Sequence, residues 1–328
     1  LPVPADDADQ AHFLASELAA DEPIDGDVAV VVSTSGTTGK PKGAMLTGDA
    51  LTASGAATHA RLGGTGQWLL ALPPHHIAGM QVLLRSIQAG TEPVVLDVST
   101  GFSLPDFVRA AAEMTGTRRY ISLVAIQLAK ALEDPAASEV LASFDAVLLG
   151  GGPLPAPVAI RAAQARVPVI RTYGMSETCG GCVYDGVALR GVQVRIGTEG
   201  QISLGGATVA LGYRNITSHK AFAEPGWFHT DDFGELHDGR LRVLGRLDEA
   251  ISTGGLTVVP QVVEAALATH PLVVECAVFG VPDDRLGQHV AVAVVPSPAG
   301  TPTLVYLRAH VSAAPYDTGA PRSLHPLD

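Results

Sequence analysis

The segment VVSTSGTTGKPKGAMLT, residues Val31–Thr47, joins an apolar run to a polar run rich in glycine and hydroxyl side chains. The apolar run, Val28–Val32, is short and β-branched, which is typical of a buried strand. The ten residues Ser33–Lys42 hold five hydroxyl side chains, two glycines and two lysines. Small residues let the backbone approach a ligand closely, and amide, hydroxyl and ammonium groups together bind anions. The segment therefore predicts a polyphosphate-binding loop at the end of a strand.

This loop differs from a Walker A loop, which requires Gly-x-x-x-x-Gly-Lys followed by Ser or Thr. Here Gly39-Lys40 is followed by Pro41, and Thr34 stands where the first glycine would be. A surface turn rich in Ser, Thr and Gly is the plain alternative. From Thr34 to Gly43 the sequence matches the pattern Thr-Ser-Gly-Thr-Thr-Gly-x-Pro-Lys-Gly. In this pattern it resembles the adenylate-forming superfamily of acyl-CoA synthetases, luciferases and peptide-synthetase adenylation domains.

The length and composition of the chain limit the number of domains and the kinds of partner that can be expected. The chain has 328 residues, of which 47% are hydrophobic and 16% charged, enough apolar material for one large or two ordinary domains. Its net charge of -12 argues against a nucleic-acid partner but leaves ATP open, since ATP needs only local positive charge. We expect no membrane span, because no apolar run of about 18 residues occurs. With no signal-peptide pattern at the start, we expect a cytoplasmic protein.

The three cysteines are Cys179, Cys182 and Cys276. Cys179 and Cys182 form a Cys-Gly-Gly-Cys sequence, but neither a βαβ context nor a second Cys/His pair accompanies it. We therefore expect buried or loop thiols rather than a disulfide framework, a redox motif or a zinc site. Free thiols fit a reducing compartment.

Alternating strand and helix patterns up to about residue 175 predict a largely parallel sheet covered on both faces. In such sheets, ligands bind where the strands end. After residue 183, short strands separated by Gly and Asp turns indicate a β-rich subdomain, at residues 184–247. The remainder, 248–328, has the pattern of a small α+β unit. The predicted fold class is α/β, with a large N-terminal domain of mostly parallel sheets at 1–247 joined by a hinge to a small C-terminal domain.

A second motif, Tyr173-Gly-Met-Ser-Glu-Thr178, follows a predicted strand. An aromatic ring can stack on a purine, and a carboxylate nearby can hold Mg²⁺ beside phosphates. From these residues alone, an ordinary strand-to-loop turn is an equal alternative. The motif also resembles the Tyr-Gly-x-Ser/Thr-Glu-Thr motif of the superfamily. That resemblance implies adenine stacking by Tyr173, phosphate contact by Thr178 and Mg²⁺ coordination through Glu177.

The resemblance also implies which residues bind the nucleotide around these two motifs. Phosphate contacts are implied for the loop residues Thr34, Ser35, Gly36, Thr37, Thr38, Gly39 and Lys42. Further nucleotide contacts are expected from Gly151, Gly152, Gly174 and Met175.

Acidic and basic residues near the predicted domain boundary complete the nucleotide site. Asp232 aligns with the aspartate of the superfamily's Thr-Gly-Asp pattern and is expected to accept the ribose hydroxyls, whereas Asp231 suits a solvated turn. Arg246 is expected to contact ribose or phosphate and to serve catalysis. Asp248 is the expected hinge, since a hinge residue absorbs a backbone change at the end of an element.

The acyl pocket is expected around PPHHIAGMQVLLRS, where His76 and Arg85 stand. His76 occupies the position of the superfamily's aromatic or histidine gate, although a lone histidine is commonly a hydrogen-bonded structural residue. Arg85 has apolar neighbours, so its charge needs a buried partner. A substrate carboxylate suits its planar fork, and the alternative is a surface arginine or one in an intramolecular salt bridge.

The resemblance implies a reaction that joins a small aryl dicarboxylate to coenzyme A, with ATP and Mg²⁺, through an acyl-adenylate. Glu177, His76, Arg85 and Arg246 are the expected catalytic residues. The ring pocket would be lined by Ser86, Gly151, Thr172 and Ser176. Two alternative functions stay open. The first is another ligase of this fold, one that forms a different aryl-CoA, acyl-CoA or acyl-AMP product. The second is a non-catalytic nucleotide-binding member of the superfamily. A homodimer also stays open.

Two departures from the superfamily pattern concern the ends of the sequence. About thirty residues precede the phosphate loop, which implies a shortened amino-terminal subdomain. No lysine follows Lys220, although adenylate formers carry a tail lysine that contacts the reacting carboxylate. We expect that lysine beyond Asp328, and weaker adenylation without it.

Overall fold

The computed structural model describes residues 1–34, 40–197, 200–313 and 319–327. The chain divides into two compact units. The first comprises Leu1–Arg195, Ser203–His229 and Asp238–Leu241, and the second comprises Ile196–Ile202, Thr230–His237 and Arg242–Asp328. In the described ranges, no helix combines the length and the apolar character that crossing a membrane requires.

The first unit begins with helix α1 (Ala8–Glu17) and an antiparallel pair of strands, β1 (Val28–Thr34) and β2 (Lys42–Thr47). The register pairs Thr34 with Lys42, so the two ends of the predicted phosphate loop lie side by side. Strand β1 confirms the strand predicted from the β-branched run. Strand β2 was not predicted, because its sequence KGAMLT has no clear alternation.

Helix α2 (Gly48–Arg61) begins directly after β2. The hydroxyl of Thr47 accepts a hydrogen bond from the backbone N–H of Ala50 at 3.0 Å and caps the helix. This cap satisfies one of the amides that a helix start leaves without a partner.

We expect Thr47→Ala to lower the free energy of unfolding by about 1 kcal/mol, because it removes this cap. Thr47→Ser keeps the hydroxyl and is the matched control. Urea denaturation followed by circular dichroism measures both. Equal stability of the alanine and serine variants would contradict the role of the cap.

A seven-stranded sheet forms the body of the first unit, in the order β4-β3-β5-β6-β7-β8-β9. Its strands are β3 (Gln67–Leu70), β4 (Val94–Val95), β5 (Arg119–Val124), β6 (Ala146–Gly150), β7 (Val169–Met175), β8 (Gly180–Tyr184) and β9 (Val187–Ala188). The strands from β4 to β7 are parallel, as predicted, whereas β8 and β9 add antiparallel strands at one edge. The sheet is therefore mixed rather than wholly parallel.

Side chains alternate between the two faces of this sheet, as the pleat requires. On one face, Ile121 and Val147 belong to a cluster that includes Phe107 and Leu128. Phe107 is in helix α4 (Leu104–Ala112), and Leu128 is in helix α5 (Ala125–Glu133). Two more helices follow, α6 (Pro135–Ala142) and α7 (Ala156–Gln164). On the other face, Trp68 lies below helix α3 (Ile77–Ala89), which carries the predicted acyl-pocket residues.

The β-rich region contains a four-stranded sheet in the order β10-β11-β12-β13. Its strands are β10 (Val192–Ile196), β11 (Gln201–Gly206), β12 (Trp227–His237) and β13 (Arg240–Arg246). Short strands separated by Gly and Asp turns were predicted for this region.

The second unit contains β14 (Ile251–Thr253), β15 (Leu256–Val258), α8 (Pro260–Leu267), β16 (Val273–Asp283), β17 (Gly287–Pro296), α9 (Leu304–Ser312) and β18 (Ser323–Pro326). Strands β15, β14, β17 and β16 follow one another in a sheet, and β18 pairs with β17 in parallel. Its core includes Val263, Leu267, Val292 and Leu307. This is the α+β unit that the sequence predicts. The domain boundary at Leu247/Asp248 and the hinge stay predictions.

One long-range contact fixes the start of the first unit. The guanidinium of Arg214 donates to three backbone carbonyls that follow α1, those of Ala19, Glu22 and Pro23, at 2.8–3.0 Å. These carbonyls lie beyond the end of α1, and a single arginine can bind several of them because its guanidinium carries five N–H donors.

Candidate active site

The two described ends of the phosphate loop are Thr34, half-buried at the end of β1, and Lys42, at the start of β2. The five residues between them with expected phosphate contacts lie outside the described residues: Ser35, Gly36, Thr37, Thr38 and Gly39. Lys40 is described and exposed. Because Thr34 and Lys42 are paired across the strands, both are held at the same end of this hairpin.

Asn215 holds the exit of the loop. Its side-chain amide donates to the carbonyl of Pro41 at 2.9 Å, and its Oδ1 accepts from the backbone N–H of Gly43 at 3.2 Å. The sequence gives no indication of this contact, because the two segments are more than 170 positions apart.

Tyr213 joins the loop cation to the predicted metal carboxylate. The ammonium of Lys42 lies 5.2 Å from the centre of the Tyr213 ring, a cation–π contact. The Tyr213 hydroxyl donates to Oε1 of Glu177 at 2.6 Å. The Nε2 of His219 is 3.5 Å from the Lys42 Nζ. Loop lysine and carboxylate therefore belong to one contiguous polar group.

Glu177 is 7% exposed and lies in a short 3₁₀ turn, Ser176–Thr178, directly after β7. A carboxylate oxygen is the kind of ligand that Mg²⁺ takes, usually one or two of them together with substrate phosphates. The position of Glu177 in the same polar group as Lys42 fits such a metal.

The motif Tyr173–Thr178 is shaped by a close backbone approach. A Cβ on Gly174 would lie 2.2 Å from the Gly180 carbonyl oxygen, and the φ of Gly174 is +153°, so glycine is required there. The Thr178 hydroxyl bonds to the backbone of Met175 and Gly180 within the turn. Its expected phosphate contact stays a prediction, as do the roles of Tyr173 and Met175.

A cavity of about 650 Å³ opens in the first unit, between α3 and the ends of strands β5, β6 and β7. Four predicted substrate residues line it: His76, Arg85, Gly151 and Thr172. Ser86, Ser176 and Gly152 are not among its lining residues. The Ser86 hydroxyl is buried and donates to the carbonyl of Val82 at 2.9 Å.

Arg85 is the buried cation of this cavity, with 3% of its surface exposed. Its guanidinium carbon lies 5.1 Å from the centre of the Trp68 ring, and its Nε has no hydrogen-bond partner among the described residues. No ion pair found in the described ranges includes it. Burial lowers the pKa of Arg85. The burial predicted from its apolar neighbours is confirmed.

Gln81 is a cavity residue that was not predicted. It is 1% exposed, its amide nitrogen donates to the Cys179 carbonyl at 2.8 Å, and its Oε1 has no partner in the described residues. It stands four residues before Arg85 on α3, so both point to the same side of the helix. That spacing is the signal that would have identified it.

His76 caps the N-terminal end of α3 with its backbone and lines the cavity. Partial burial, and next the neighbouring His75, lower the pKa of His76 below its ordinary value. The ring is therefore neutral at pH 7 and can offer one donor and one acceptor. Its gating role stays a prediction.

In the second unit, Arg246 is held by Asp248. The guanidinium donates to both carboxylate oxygens of Asp248, at 2.8 and 2.7 Å, and lies 3.8 Å from Oδ1 of Asp232. The bond from Arg246 lowers the pKa of Asp248. The expected hinge residue and the expected ribose-binding residues are thus brought together, and their roles stay predictions.

The three thiols are free, and two are deeply buried. Burial raises the pKa of Cys179 and of Cys182 to about 12, and that of Cys276 to about 11. We expect the folded protein at pH 8 to react slowly with Ellman's reagent, because the thiolate is the reactive form. In denaturant, all three thiols should react at once. Rapid reaction of two thiols in the folded state would contradict this prediction.

The chain belongs to the AMP-binding enzyme family. The model of that family matches residues 3–214, and the model of the AMP-binding enzyme C-terminal domain matches residues 262–325. The resemblance found from the two motifs and the predicted fold class are confirmed.

Among individual relatives, the probable 2-succinylbenzoate–CoA ligase of Mycobacterium tuberculosis is 60% identical over 320 residues, which is 96% of this chain and 84% of that protein. The 2-succinylbenzoate–CoA ligase of Bacillus cereus is 33% identical over 296 residues, 83% of this chain and 60% of that protein.

A solved structure is similar over nearly the same range. It is the o-succinylbenzoate CoA synthetase from Bacillus subtilis in complex with the acyl-adenylate intermediate, with a TM-score of 0.76 and 30% identity. The match covers 93% of this chain and 66% of that one. The same enzyme in complex with ATP and magnesium ion matches with a TM-score of 0.77 and 30% identity, over 93% of this chain and 67% of that one.

Proposed function

We propose that this chain is an o-succinylbenzoate–CoA ligase of menaquinone biosynthesis. It joins 2-succinylbenzoate to coenzyme A by way of an acyl-adenylate. The relatives with the same activity in their names support the reaction, and the cavity supports the substrate.

The observation that carries the choice of substrate is the uncompensated charge of Arg85 in the cavity wall. An arginine buried without a carboxylate costs folding free energy, so a site that keeps one suits an anionic ligand. 2-Succinylbenzoate has two carboxylates. One reacts, and the other needs a cation, which Arg85 supplies as a planar two-pronged donor.

In the first step, an oxygen of the reacting carboxylate attacks the α-phosphorus of ATP, and the bond to the bridging oxygen breaks to release pyrophosphate. Thr34, Lys42 and the loop between them hold the phosphates, and Glu177 holds Mg²⁺. The metal supplies charge neutralisation on the phosphate oxygens. The contribution of the protein is positioning and charge stabilisation.

In the second step, the thiolate of coenzyme A attacks the acyl carbon, the thioester forms, and AMP leaves with the bonding electron pair. Asp232 and Arg246 hold the ribose. The contacts of Arg246 with Asp248 and Asp232 support a hinge next to the ribose-binding residues. Rotation about this hinge changes the site from the one that forms the adenylate to the one that forms the thioester.

A cytoplasmic location also belongs to the proposal, since free thiols persist in reducing compartments.

The test is pyrophosphate release from MgATP with a panel of acids: 2-succinylbenzoate, 4-oxo-4-phenylbutanoate, benzoate and octanoate. We expect release to be fastest with 2-succinylbenzoate, and mass spectrometry to detect its CoA thioester when coenzyme A is added. Faster release with another acid would favour a different ligase of this fold. No release with any acid would favour a non-catalytic nucleotide-binding protein.

A further inference from the structure

Arg85, the buried cation of the acyl cavity, contacts one hydroxyl group, which contacts a second, and the three residues come from three different elements. The Nη2 of Arg85 donates to the Tyr184 hydroxyl at 3.4 Å, and that hydroxyl lies 3.0 Å from Oγ1 of Thr58. Tyr184 and Thr58 are fully buried, and Tyr184 also lines the cavity. The phenol oxygen accepts from Arg85, and either hydroxyl can be the donor in the contact between Tyr184 and Thr58.

We propose that Tyr184, held by Thr58, is a positioning residue that sets the direction in which Arg85 presents its guanidinium to the second carboxylate of the substrate. This inference rests on the proposed function and extends it to the selection of dicarboxylates over monocarboxylates.

The surroundings of Arg85 leave Tyr184 as the group that fixes its rotation. The face of the guanidinium lies over the Trp68 ring, and this contact restrains its distance more than its in-plane orientation. His59 is also close, but burial and the charge of Arg85 lower the pKa of His59, so it stays neutral. A hydrogen bond at one edge therefore selects which N–H groups point into the cavity.

The position of these contacts explains why a tyrosine is used. Tyr184 ends strand β8, Thr58 is in α2, and Arg85 is in α3, so the phenol reaches from the sheet to two helices. A phenylalanine would fill the same volume and keep the packing, but it would leave the Arg85 edge without an acceptor. The guanidinium would then be free to rotate within the cavity.

The experiment compares three ligands by isothermal titration calorimetry: 2-succinylbenzoate and two analogues, 4-oxo-4-phenylbutanoate and 2-butanoylbenzoate, each of which lacks one carboxylate. The variants are Tyr184→Phe, Thr58→Val and Thr58→Ser. Tyr120→Phe is the matched control. Tyr120 is also fully buried, but its hydroxyl donates to the backbone carbonyls of Leu62 and Gly64 and does not line the cavity.

We expect Tyr184→Phe to weaken binding of 2-succinylbenzoate about tenfold, the usual scale for one hydrogen bond to a charged group. Thr58→Val should weaken it less, and Thr58→Ser should restore it. The analogue that lacks the carboxylate bound by Arg85 should bind equally to Tyr184→Phe and to the wild type. Tyr120→Phe should bind all three ligands as the wild type does.

An equal loss for all three ligands would indicate a structural role and overturn the proposal, as would unchanged binding in Tyr184→Phe. If the wild-type chain binds 2-succinylbenzoate and Tyr184→Phe binds it equally well, the positioning role fails and the proposed function stands. If the wild-type chain does not bind 2-succinylbenzoate at all, both fail.

Discussion

Replacing Arg85 by methionine should lower kcat/KM for 2-succinylbenzoate about 100-fold while leaving the protein at least as stable as the wild type. A hydrogen bond to a charged group contributes about 1.5–3 kcal/mol, and about 2.7 kcal/mol corresponds to 100-fold. The variant should be at least as stable as the wild type, because Arg85 buries a charge for which the described residues supply no carboxylate. Methionine fills much of the volume without that desolvation cost.

Steady-state kinetics and thermal unfolding measure the two effects separately. Arg85→Lys keeps the charge but loses the planar fork, so it should recover only part of the activity. The analogue that lacks the carboxylate bound by Arg85 should be used equally by the wild type and the methionine variant. Normal kinetics of the methionine variant with 2-succinylbenzoate would remove the basis for this substrate. A large fall in its melting temperature would show that Arg85 instead stabilises the fold.

Replacing Glu177 by glutamine should slow adenylate formation about 100-fold, since an interaction with a catalytic metal is worth several kcal/mol. Glutamine has the same shape, and its Oε1 can still accept the hydrogen bond from Tyr213, so the local structure is kept. The measurement is single-turnover pyrophosphate release as a function of Mg²⁺ concentration. The half-saturating Mg²⁺ concentration should rise in the variant.

Glu264→Gln is the matched control for this substitution. Glu264 is half-buried in the second unit, and its Oε1 accepts a hydrogen bond from the backbone N–H of Val278 at 2.8 Å. It should release pyrophosphate at the wild-type rate. An unchanged Mg²⁺ dependence in Glu177→Gln would assign the metal to other ligands.

Much of the fold could be predicted because its elements are local patterns. The β-branched run of β1, the Gly and Asp turns before β10, and the Pro at the start of α8 each act within a few residues. Strand β8 was not predicted, because three of the five residues of its sequence GGCVY are glycine or cysteine. It is a strand since β7 and β9 supply hydrogen-bond partners on either side. Tertiary pairing overrides weak local preference in such cases.

The residues of the candidate site also include some that local sequence predicts and some that it does not. The sequence motif predicted Glu177 as a ligand, and apolar neighbours predicted the burial of Arg85. Neither could indicate Tyr213, Tyr184 or Asn215, because each contacts a partner far along the chain. A lone tyrosine or asparagine in a strand or loop has no periodicity and no motif. Its role depends on which segments the fold brings together.

The hydrogen bonds from Arg214 to the three carbonyls also have a consequence for folding during synthesis. They lie 191–195 positions before it, so they are synthesised well before the arginine that satisfies them. At about 5–20 residues per second on the ribosome, the delay is about 10–40 s. Helix α1 has ten residues and is too short to be stable alone. During translation the amino-terminal segment therefore lacks these three hydrogen bonds until Arg214 has been synthesised.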